Sequence, residues 1–393
     1  MDTKSIVMEL EFEKSSGNGS TTYLTHNFHT YPAKFIPQIP KSTIKSLTRE
    51  GDTILDPFCG CGTTLVEAKL LNRNAIGVDL NPIATLVSKA KTNKIDREQI
   101  SLISNLLYKI KKDIGYYYTN QKIRKSYNIP SFNNINHWFQ TNVLNELGII
   151  KTYLDTIEEE NLRDYLYTAF SSIIVNVSNQ ESDTRFAAIN KEIKPFRAFF
   201  EFSRKLEGMN NRIIEFSKKA SDSQIKVFTA DTQNMDFLED DSVDHIVTSP
   251  PYANTYDYYL YHKFRMYWLG YNVKLVQDNE IGSRNRHSSK KEDISTFKEC
   301  LSKCLKEMSR GLKNNKFAVI VIGDSIIRGK LIRANDLMKE ISAKNNLQFI
   351  KETSYNLKEN SKMFNPKFTN GDKLEHIMFF QNKNFELRPI GRA

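Results

Sequence analysis

The chain is 393 residues long and carries a net charge of +10, with an isoelectric point near 9.1. This charge favours a polyanionic partner such as nucleic acid, although a soluble basic protein without such a partner is equally compatible with it. No apolar run reaches the roughly 20 residues of a membrane-spanning helix, and the acidic N-terminal segment lacks the apolar core of a secretory signal, so we expect neither.

The four cysteines do not follow the pattern of a disulfide framework. Cys59 and Cys61 lie in a glycine-containing loop, whereas Cys300 and Cys304 are four residues apart on a predicted helix. A zinc site that used all four would need an unusual spacing. We therefore expect no metal and a reducing, cytoplasmic setting.

The most regular stretch is DTILDPFCGCGTTLVEAKLLNRNAIGVDLNPIATLVSKA, residues 52–90. A short apolar strand at 53–55 leads into a loop with Gly60 and Gly62, a helix follows, and a second strand at 75–78 ends on Asp79. Strand, glycine loop, helix and acid-terminated strand indicate a nucleotide-binding half of a doubly wound sheet.

The pattern resumes after a long interval. The later elements are predicted strands at 225–231, 244–249 and 317–325, a helix at 334–342, and a closing antiparallel pair, LQFIKETSYN and LEHIMFF. This makes seven strands. Asp79 and Asp231 are 231 − 79 = 152 positions apart, far more than one helical crossover needs.

The long interval has apolar residues at three- and four-residue spacing, which predicts a helical insertion. We therefore divide the chain into three parts. They are a first half-sheet at 1–94 with an N-terminal cofactor motif, a helical insertion at 95–223 that is a candidate for target recognition, and a second half-sheet at 224–393 with a target-base motif.

The glycine loop has the features of a ribose-binding site. Gly60 and Gly62 allow the backbone to turn beneath a ligand, and the next helix presents free amides to the same place. Asp79, 79 − 62 = 17 residues beyond the last loop glycine, is positioned to accept hydrogen bonds from ribose hydroxyls. The loop lacks the Gly-Lys-Ser/Thr ending of a P-loop, which argues against ATP or GTP.

A second motif, TSPPY, ends the buried strand that begins at Val243. Ligands of open parallel sheets bind beyond the carboxyl ends of the strands, so Ser249 should lie on the same edge as the glycine loop. Proline carbonyls and the Ser249 hydroxyl can accept hydrogen bonds from an amino group, and Tyr252 offers a flat face to a planar base. Taken alone, the motif favours a proline-terminated strand with a packed tyrosine.

In combination, the segments DPFCGCGTT, GVDLNP, TADT and TSPPY resemble the S-adenosylmethionine-dependent DNA amino-methyltransferases. HTYPAKFIP, residues 29–37, resembles that family's remaining cofactor motif. The resemblance covers roughly 26–94 and 224–381. It implies an α/β fold, a seven-stranded Rossmann-like class I methyltransferase sheet, here with a helical insertion.

The same resemblance implies the cofactor, S-adenosylmethionine, and the residues of the site. Asp79 would hold the ribose, Asp231 would meet the adenine ring, and residues 31–37 would fold over it. The implied cofactor contacts are Tyr31, Lys34, Phe35, Asp56, Phe58, Gly60, Gly62, Thr63, Asp79, Asn81 and Asp231. The implied catalytic residues, which would receive a flipped base, are Ser249, Pro250, Pro251 and Tyr252. Cys61 departs from the family, which usually has serine there, and we expect this to tune function without abolishing it.

The type of methylation follows from two further comparisons. Methylation at carbon 5 of cytosine uses a cysteine that follows a proline, and no cysteine here does. In the amino-methyltransferase family, Ser-Pro-Pro-Tyr goes mostly with cytosine N4, and Asp- or Asn-Pro-Pro-Tyr mostly with adenine N6. The resemblance therefore favours a site-specific DNA cytosine-N4 methyltransferase of a restriction-modification system, with double-stranded DNA as substrate and a cognate restriction endonuclease as a candidate partner.

Three alternatives stay open: an adenine-N6 enzyme on the same scaffold, an RNA base methyltransferase, and a DNA-binding protein without catalysis. The recognised DNA sequence and the oligomeric state cannot be read from the residues.

Three segments are candidates for DNA contact: 108–127, 178–192 and 282–293. The first and third are basic, whereas the second is polar and is expected to form a loop between helices. Basic side chains suit phosphates and interleaved aromatics suit unstacked bases, although the first segment also fits a solvated amphipathic helix. The candidate DNA-binding residues are Lys111, Lys112, Arg124, Arg185, Arg284 and Arg286.

Overall fold

The computed structural model describes residues 20–32, 34–121, 127–183, 185–285, 292–356 and 373–383. Its strands are β1 Thr53–Asp56, β2 Asn74–Asp79, β3 Gln180–Ser182, β4 Arg185–Ala188, β5 Ile225–Thr229, β6 Val243–Thr248, β7 Leu312–Gly323, β8 Ser325–Ile327, β9 Lys330–Ile332, β10 Leu347–Asn356 and β11 Leu374–Asn382.

A 3-10 helix at Leu24–Asn27 precedes the α-helices. These are α1 Gln38–Leu47, α2 Thr63–Leu70, α3 Pro82–Thr92, α4 Arg97–Asn120, α5 Ile135–Trp138, α6 Thr141–Leu154, α7 Glu160–Ile173, α8 Arg197–Lys219, α9 Tyr258–Leu269, α10 Val273–Asn279, α11 Ile294–Gly311 and α12 Ala334–Ala343.

Seven strands form the central sheet, in the order β10-β11-β7-β6-β1-β2-β5. Strands β5, β2, β1, β6 and β7 are parallel to one another, and β11 is antiparallel to both β7 and β10. The prediction of a seven-stranded Rossmann-like sheet with a closing antiparallel pair is thus confirmed. The strand order reverses between β1 and β6, the place where such sheets bind ligands.

Alternating side chains explain why helices cover both faces of the sheet. Ile54 of β1 packs with α1 and α2, whereas Leu55 packs with α11 and α12. Val247 and Ile246 of β6 divide between the same two layers. All six residues of β6 are buried, as expected for a central parallel strand.

The insertion is mainly helical, as predicted. Helices α6, α7 and α8 share one apolar core with Phe264 and Trp268 of α9 and with Leu24 and Phe28 near the N-terminus. The insertion is therefore packed on α9, the helix that follows the TSPPY motif.

Some local predictions were wrong. The segment 178–192, expected as a loop, contains the hairpin β3–β4, whose short polar strands give no apolar pattern. Strand β7 begins at Leu312, before the predicted start at Phe317, and ends at Gly323, because Ser325 already pairs within β8–β9.

Two absences hold for the part of the chain that the structure describes. No helix there is long and apolar enough to span a bilayer, and no group of His, Cys, Asp and Glu side chains there could hold a metal ion.

Candidate active site

A cavity opens beyond the carboxyl ends of β1, β2, β5 and β6. It encloses about 860 Å³, including the part open to solvent, a size typical of small-molecule sites. Its wall combines residues 31–32 and 34–35, the glycine loop, the ends of the strands and the end of α10. The lining residues are Tyr31, Pro32, Lys34, Phe35, Phe58, Cys59, Gly60, Cys61, Thr63, Asp79, Leu80, Asn81, Asp231, Thr232, Ser249, Pro251, Tyr258, Val276, Asn279, Glu280 and Ile281.

Asp79 holds the glycine loop in place at the end of β2. One carboxylate oxygen accepts a hydrogen bond from the Gly60 amide at 2.9 Å, and the other accepts one from the Asn81 amide at 2.8 Å. Burial raises the pKa of this carboxyl to about 6, against the opposing effect of the two amides. Asn81 in turn caps α3, its side chain accepting from the Ile83 amide at 3.0 Å.

Most of the predicted cofactor residues line this cavity. Nine of the eleven do so: Tyr31, Lys34, Phe35, Phe58, Gly60, Thr63, Asp79, Asn81 and Asp231.

Two predicted cofactor residues, Asp56 and Gly62, do not line the cavity. Asp56 is fully buried between strands, where it accepts hydrogen bonds from the Thr248 hydroxyl at 2.7 Å and the Phe58 amide at 3.3 Å. Gly62 packs against Ser88 of α3, and a Cβ at Gly62 would lie 2.7 Å from the Ser88 Oγ. Both residues therefore support the glycine loop through contacts outside the cavity.

Tyr31 lies over Gly60 of the glycine loop. Its ring lies 3.4 Å from the position that a Cβ on Gly60 would occupy. The lack of a side chain at Gly60 therefore lets the ring pack closely on the loop backbone. On its other side the ring stacks on His262, with centroids 4.8 Å apart. Tyr31 therefore gives the cavity an aromatic side chain in the same lining as Asp79.

The TSPPY residues divide between the cavity wall and the interior. Ser249 and Pro251 line the cavity, whereas Pro250 is buried. Tyr252 is half-buried, with its hydroxyl donating to Glu375 at 3.0 Å and lying 3.5 Å from the Ser249 Oγ. The motif therefore places its serine on the same cavity as Asp79, and holds its tyrosine in a fixed position beside it.

Glu280 is a cavity residue that sequence reasoning missed. It is buried and accepts hydrogen bonds from the Tyr258 amide at 2.6 Å and the Tyr259 amide at 3.3 Å, so it caps the N-terminus of α9. Burial raises the pKa of this carboxyl to about 8. No local signal marks it, because its partners lie 21 and 22 residues earlier in the chain.

The candidate DNA-binding residues lie away from the cavity lining. Lys111 and Lys112 are exposed on α4, and Arg185 is exposed on β4 with an ion pair to Glu181 at 2.9 Å. Arg284 is exposed, and its amide donates to the Tyr256 carbonyl at 3.3 Å, near the TSPPY loop. Arg124 and Arg286 lie outside the described residues.

The cavity chemistry fits S-adenosylmethionine. Asp79, Asp231 and Glu280 bring carboxyl groups to the wall, which suits ribose hydroxyls and a sulfonium cation. Lys34 brings an ammonium group to the same wall, which suits a carboxylate.

The pH dependence of cofactor binding should follow Asp79. An ionised carboxylate accepts hydrogen bonds from hydroxyls better than a neutral carboxyl, so affinity should fall as the pH is lowered through about 6. Calorimetric titration of wild type and Asp79→Asn between pH 5 and 7.5 checks this. The variant should lack that part of the dependence, and equal pH profiles would contradict the assignment.

Two cysteines of the cavity should differ in reactivity. Burial raises the thiol pKa of Cys61, but the ammonium groups of Lys91 and Lys34 outweigh it, so that pKa lies below its usual value. Burial and the carboxylates of Asp79 and Asp56 hold the pKa of Cys59 well above its usual value. Since thiolates are the reactive form and both residues line the cavity, iodoacetamide should label Cys61 faster. Peptide mass spectrometry of partly alkylated protein measures this, and equal labelling would refute it.

One family model and several Type II methyltransferases match this chain. A family model described as DNA methylase, of the N6 and N4 type, matches residues 7–90 and 243–388. The Type II methyltransferase M.MvaI of Kocuria varians is 32% identical, over 67% of this chain and 61% of that protein. The Type II methyltransferase M.MjaII of Methanocaldococcus jannaschii is 24% identical, over 88% of this chain and 78% of that protein.

A third relative, the Type II methyltransferase M.BsoBI of Geobacillus stearothermophilus, is 23% identical over 64% of this chain and 54% of its own length. The chain thus spans 61% and 54% of two of these relatives. Six of the seven strands of the central sheet lie within the ranges that the family model matches, and β5 lies between those ranges.

Proposed function

The chain belongs to the N6- and N4-type DNA methylase family, and from this membership we propose that it transfers a methyl group from S-adenosylmethionine to the exocyclic amine of a base in double-stranded DNA. One observation carries the proposal. Ser249 of the TSPPY motif and Asp79 of the cofactor motifs line one cavity, so a base at the first and a ribose at the second would be neighbours.

The target base has to leave the duplex, because a stacked and paired base cannot present its amine to a methyl donor. The bound cofactor supplies an electrophilic methyl group on a sulfonium. The Ser249 hydroxyl lies in the cavity wall and accepts a hydrogen bond from the amine, which directs the nitrogen lone pair. Direct transfer then needs positioning and electrostatics and no covalent enzyme intermediate.

We assign the accepting amine to cytosine N4. The support is the serine at position 249, since family members with the sequence Ser-Pro-Pro-Tyr act mostly on cytosine N4. Adenine N6 is the second candidate on the same scaffold.

Mass spectrometry of nucleosides tests the reaction and the base together. DNA is taken from a methylation-free host that expresses this chain, and from the same host expressing Asp79→Ala at equal soluble yield. N4-methylcytosine only with the intact chain is the expected result. N6-methyladenine would overturn the cytosine assignment. The absence of both marks would overturn the DNA reaction and direct the search to RNA.

We further propose that the chain acts in a restriction-modification system, with a cognate endonuclease that cuts the same site. The support is that the relatives are named Type II methyltransferases. Sequencing that reads methylated positions in the host genome should place every mark within one short recurring sequence. Marks scattered over unrelated sequences would contradict this.

DNA affinity should fall steeply as salt rises. Each Lys or Arg that neutralises a phosphate releases counterions, so the logarithm of the binding constant falls linearly with that of the salt concentration. Lys111→Ala with Lys112→Ala should flatten the slope by about one to two counterions. Fluorescence anisotropy on labelled duplex measures the slope; an unchanged slope would remove α4 from the DNA contact surface.

A further inference from the structure

Tyr252 is held at both ends of its side chain by neighbouring strands. Its hydroxyl donates to the Glu375 carboxylate at 3.0 Å, on β11. Its ring packs against Gly323 of β7, where an added Cβ would lie 2.7 Å from Cε2 and 3.0 Å from Cδ2. Glu375 and Gly323 face each other directly in the β7–β11 register. One cross-strand pair therefore supplies both the space for the ring and the acceptor for the hydroxyl.

Glu375 is itself fixed by the residues on either side of it. The Leu374 amide donates to Asp324 at 3.2 Å, and the His376 ring nitrogen Nε2 lies 3.1 Å from the same carboxylate. Burial would raise the pKa of Asp324, but the hydrogen bonds from His376 and from backbone amides lower it to about 2. The start of β11 is thus anchored to the end of β7, and with it the carboxylate that meets Tyr252.

Glu375 also lies among the groups of the TSPPY loop. The Tyr252 hydroxyl is 3.5 Å from the Ser249 Oγ, and burial, followed by the charge of Glu375, raises the pKa of Tyr256. Burial raises the pKa of Glu375 itself. Burying a carboxylate costs free energy, so the place of Glu375 beside the TSPPY loop indicates a role beyond packing. Glu375 itself lies outside the TSPPY motif.

We propose that Glu375 is a positioning residue for the target base: with Gly323 it forms a seat that fixes the plane of the Tyr252 ring against which the flipped base stacks. This rests on the proposed function above. A fixed ring gives stacking without the entropy cost of ordering a side chain on binding, and stacking of a base on an aromatic ring contributes on the order of 1–3 kcal/mol.

The test compares Glu375→Ala, Glu375→Gln and Tyr252→Phe with a duplex that carries 2-aminopurine at the target position. Glu375→Ala should lower kcat about tenfold, since one hydrogen bond to a charged group is lost and about 1.4 kcal/mol is a factor of ten. The emission of the flipped 2-aminopurine should shift, because its quenching depends on the ring beneath it. Glu375→Gln, which keeps an oxygen acceptor, should recover most of the activity.

Two controls separate positioning from a general effect on the fold. Glu352→Ala removes a glutamate from the neighbouring strand β10. Glu352 forms an ion pair with Lys339 at 3.2 Å, and its removal should leave kcat and the 2-aminopurine fluorescence unchanged. The dissociation constant for the cofactor should be the same in all these variants, because Glu375 and Tyr252 do not line the cavity.

A double-variant comparison tests the contact itself without relying on catalysis. If Tyr252 and Glu375 act through one hydrogen bond, Glu375→Ala combined with Tyr252→Phe should melt within about 1 °C of the less stable single variant, and a crystal structure of Glu375→Ala should show the ring displaced. Additive melting shifts with an unmoved ring would overturn the proposal even in a chain that methylates nothing. Wild type that is active and Glu375→Ala of equal activity would overturn it too, whereas an inactive wild type would count only against the proposed function.

Discussion

Asp79→Ala should weaken cofactor binding by on the order of a hundredfold or more. The substitution removes the acceptor of the Gly60 and Asn81 amides and, with it, the acceptor that we propose for the ribose hydroxyls. Hydrogen bonds to charged groups contribute about 1.5–3 kcal/mol each, and a loss of about 1.4 kcal/mol is tenfold in affinity. Since the loop and the ligand both depend on one carboxylate, the loss exceeds that of one ligand contact. Isothermal calorimetry with S-adenosylmethionine measures it.

Asp52 provides a matched control for this substitution. Its carboxylate also accepts a hydrogen bond from a backbone amide, that of Arg49 at 2.9 Å. Asp52 directly precedes β1, whereas Asp79 ends β2, so Asp52 lies at the opposite edge of the parallel strands and does not line the cavity. Asp52→Ala should therefore keep wild-type affinity. Asp79→Asn, which keeps one acceptor oxygen, should lie between the two. Normal affinity in a folded Asp79→Ala would remove Asp79 from the cofactor site.

The sheet was predictable because its local signals agree. Apolar strands, glycine turns and acid-terminated strands are each short-range features, and the parallel arrangement brings their ends together without further information. Ser249 and Asp79, 170 positions apart (249 − 79), meet at one cavity for that reason.

The parts that were not predictable depend on contacts across the fold. Glu280 caps α9 and Glu375 binds Tyr252, and neither belongs to a motif. Each carboxylate meets its partner only because the fold brings together segments that are distant in the chain. A single sequence carries no local trace of such a pairing.

The residues of the cofactor motif have two different roles. Asp56 and Gly62 lie within the cofactor motif, yet Asp56 joins β1 to β6 through Thr248, and Gly62 sits against α3. Motif membership predicts that a residue is needed near the site. It does not distinguish a residue that touches the ligand from one that shapes the loop.

Gly62→Ala should destabilise the fold considerably more than Gly270→Ala. Both glycines have left-handed backbones, with φ of +77° and +76°, so both substitutions incur a similar strain of about 1–2 kcal/mol. They differ in their surroundings. A Cβ at Gly62 would lie 2.7 Å from the Ser88 Oγ and 3.0 Å from its Cα, whereas nothing lies within 4 Å of a Cβ at Gly270. Overpacking of this kind adds about 1–3 kcal/mol, and urea unfolding of the two variants measures the difference.

The same substitution should also weaken cofactor binding, through the geometry of the loop. The Ser88 hydroxyl donates to the Gly60 carbonyl at 2.9 Å, so a displaced Ser88 pulls on the residue whose amide Asp79 holds. Ser88→Ala, which loses that bond without adding volume, should reproduce only a small part of the loss. If Gly62→Ala and Gly270→Ala were equally stable, the backbone angle alone would account for the glycine. If Gly62→Ala unfolded more easily but bound the cofactor normally, then packing against α3 would be separable from the shape of the cavity, and Asp79 alone would position Gly60.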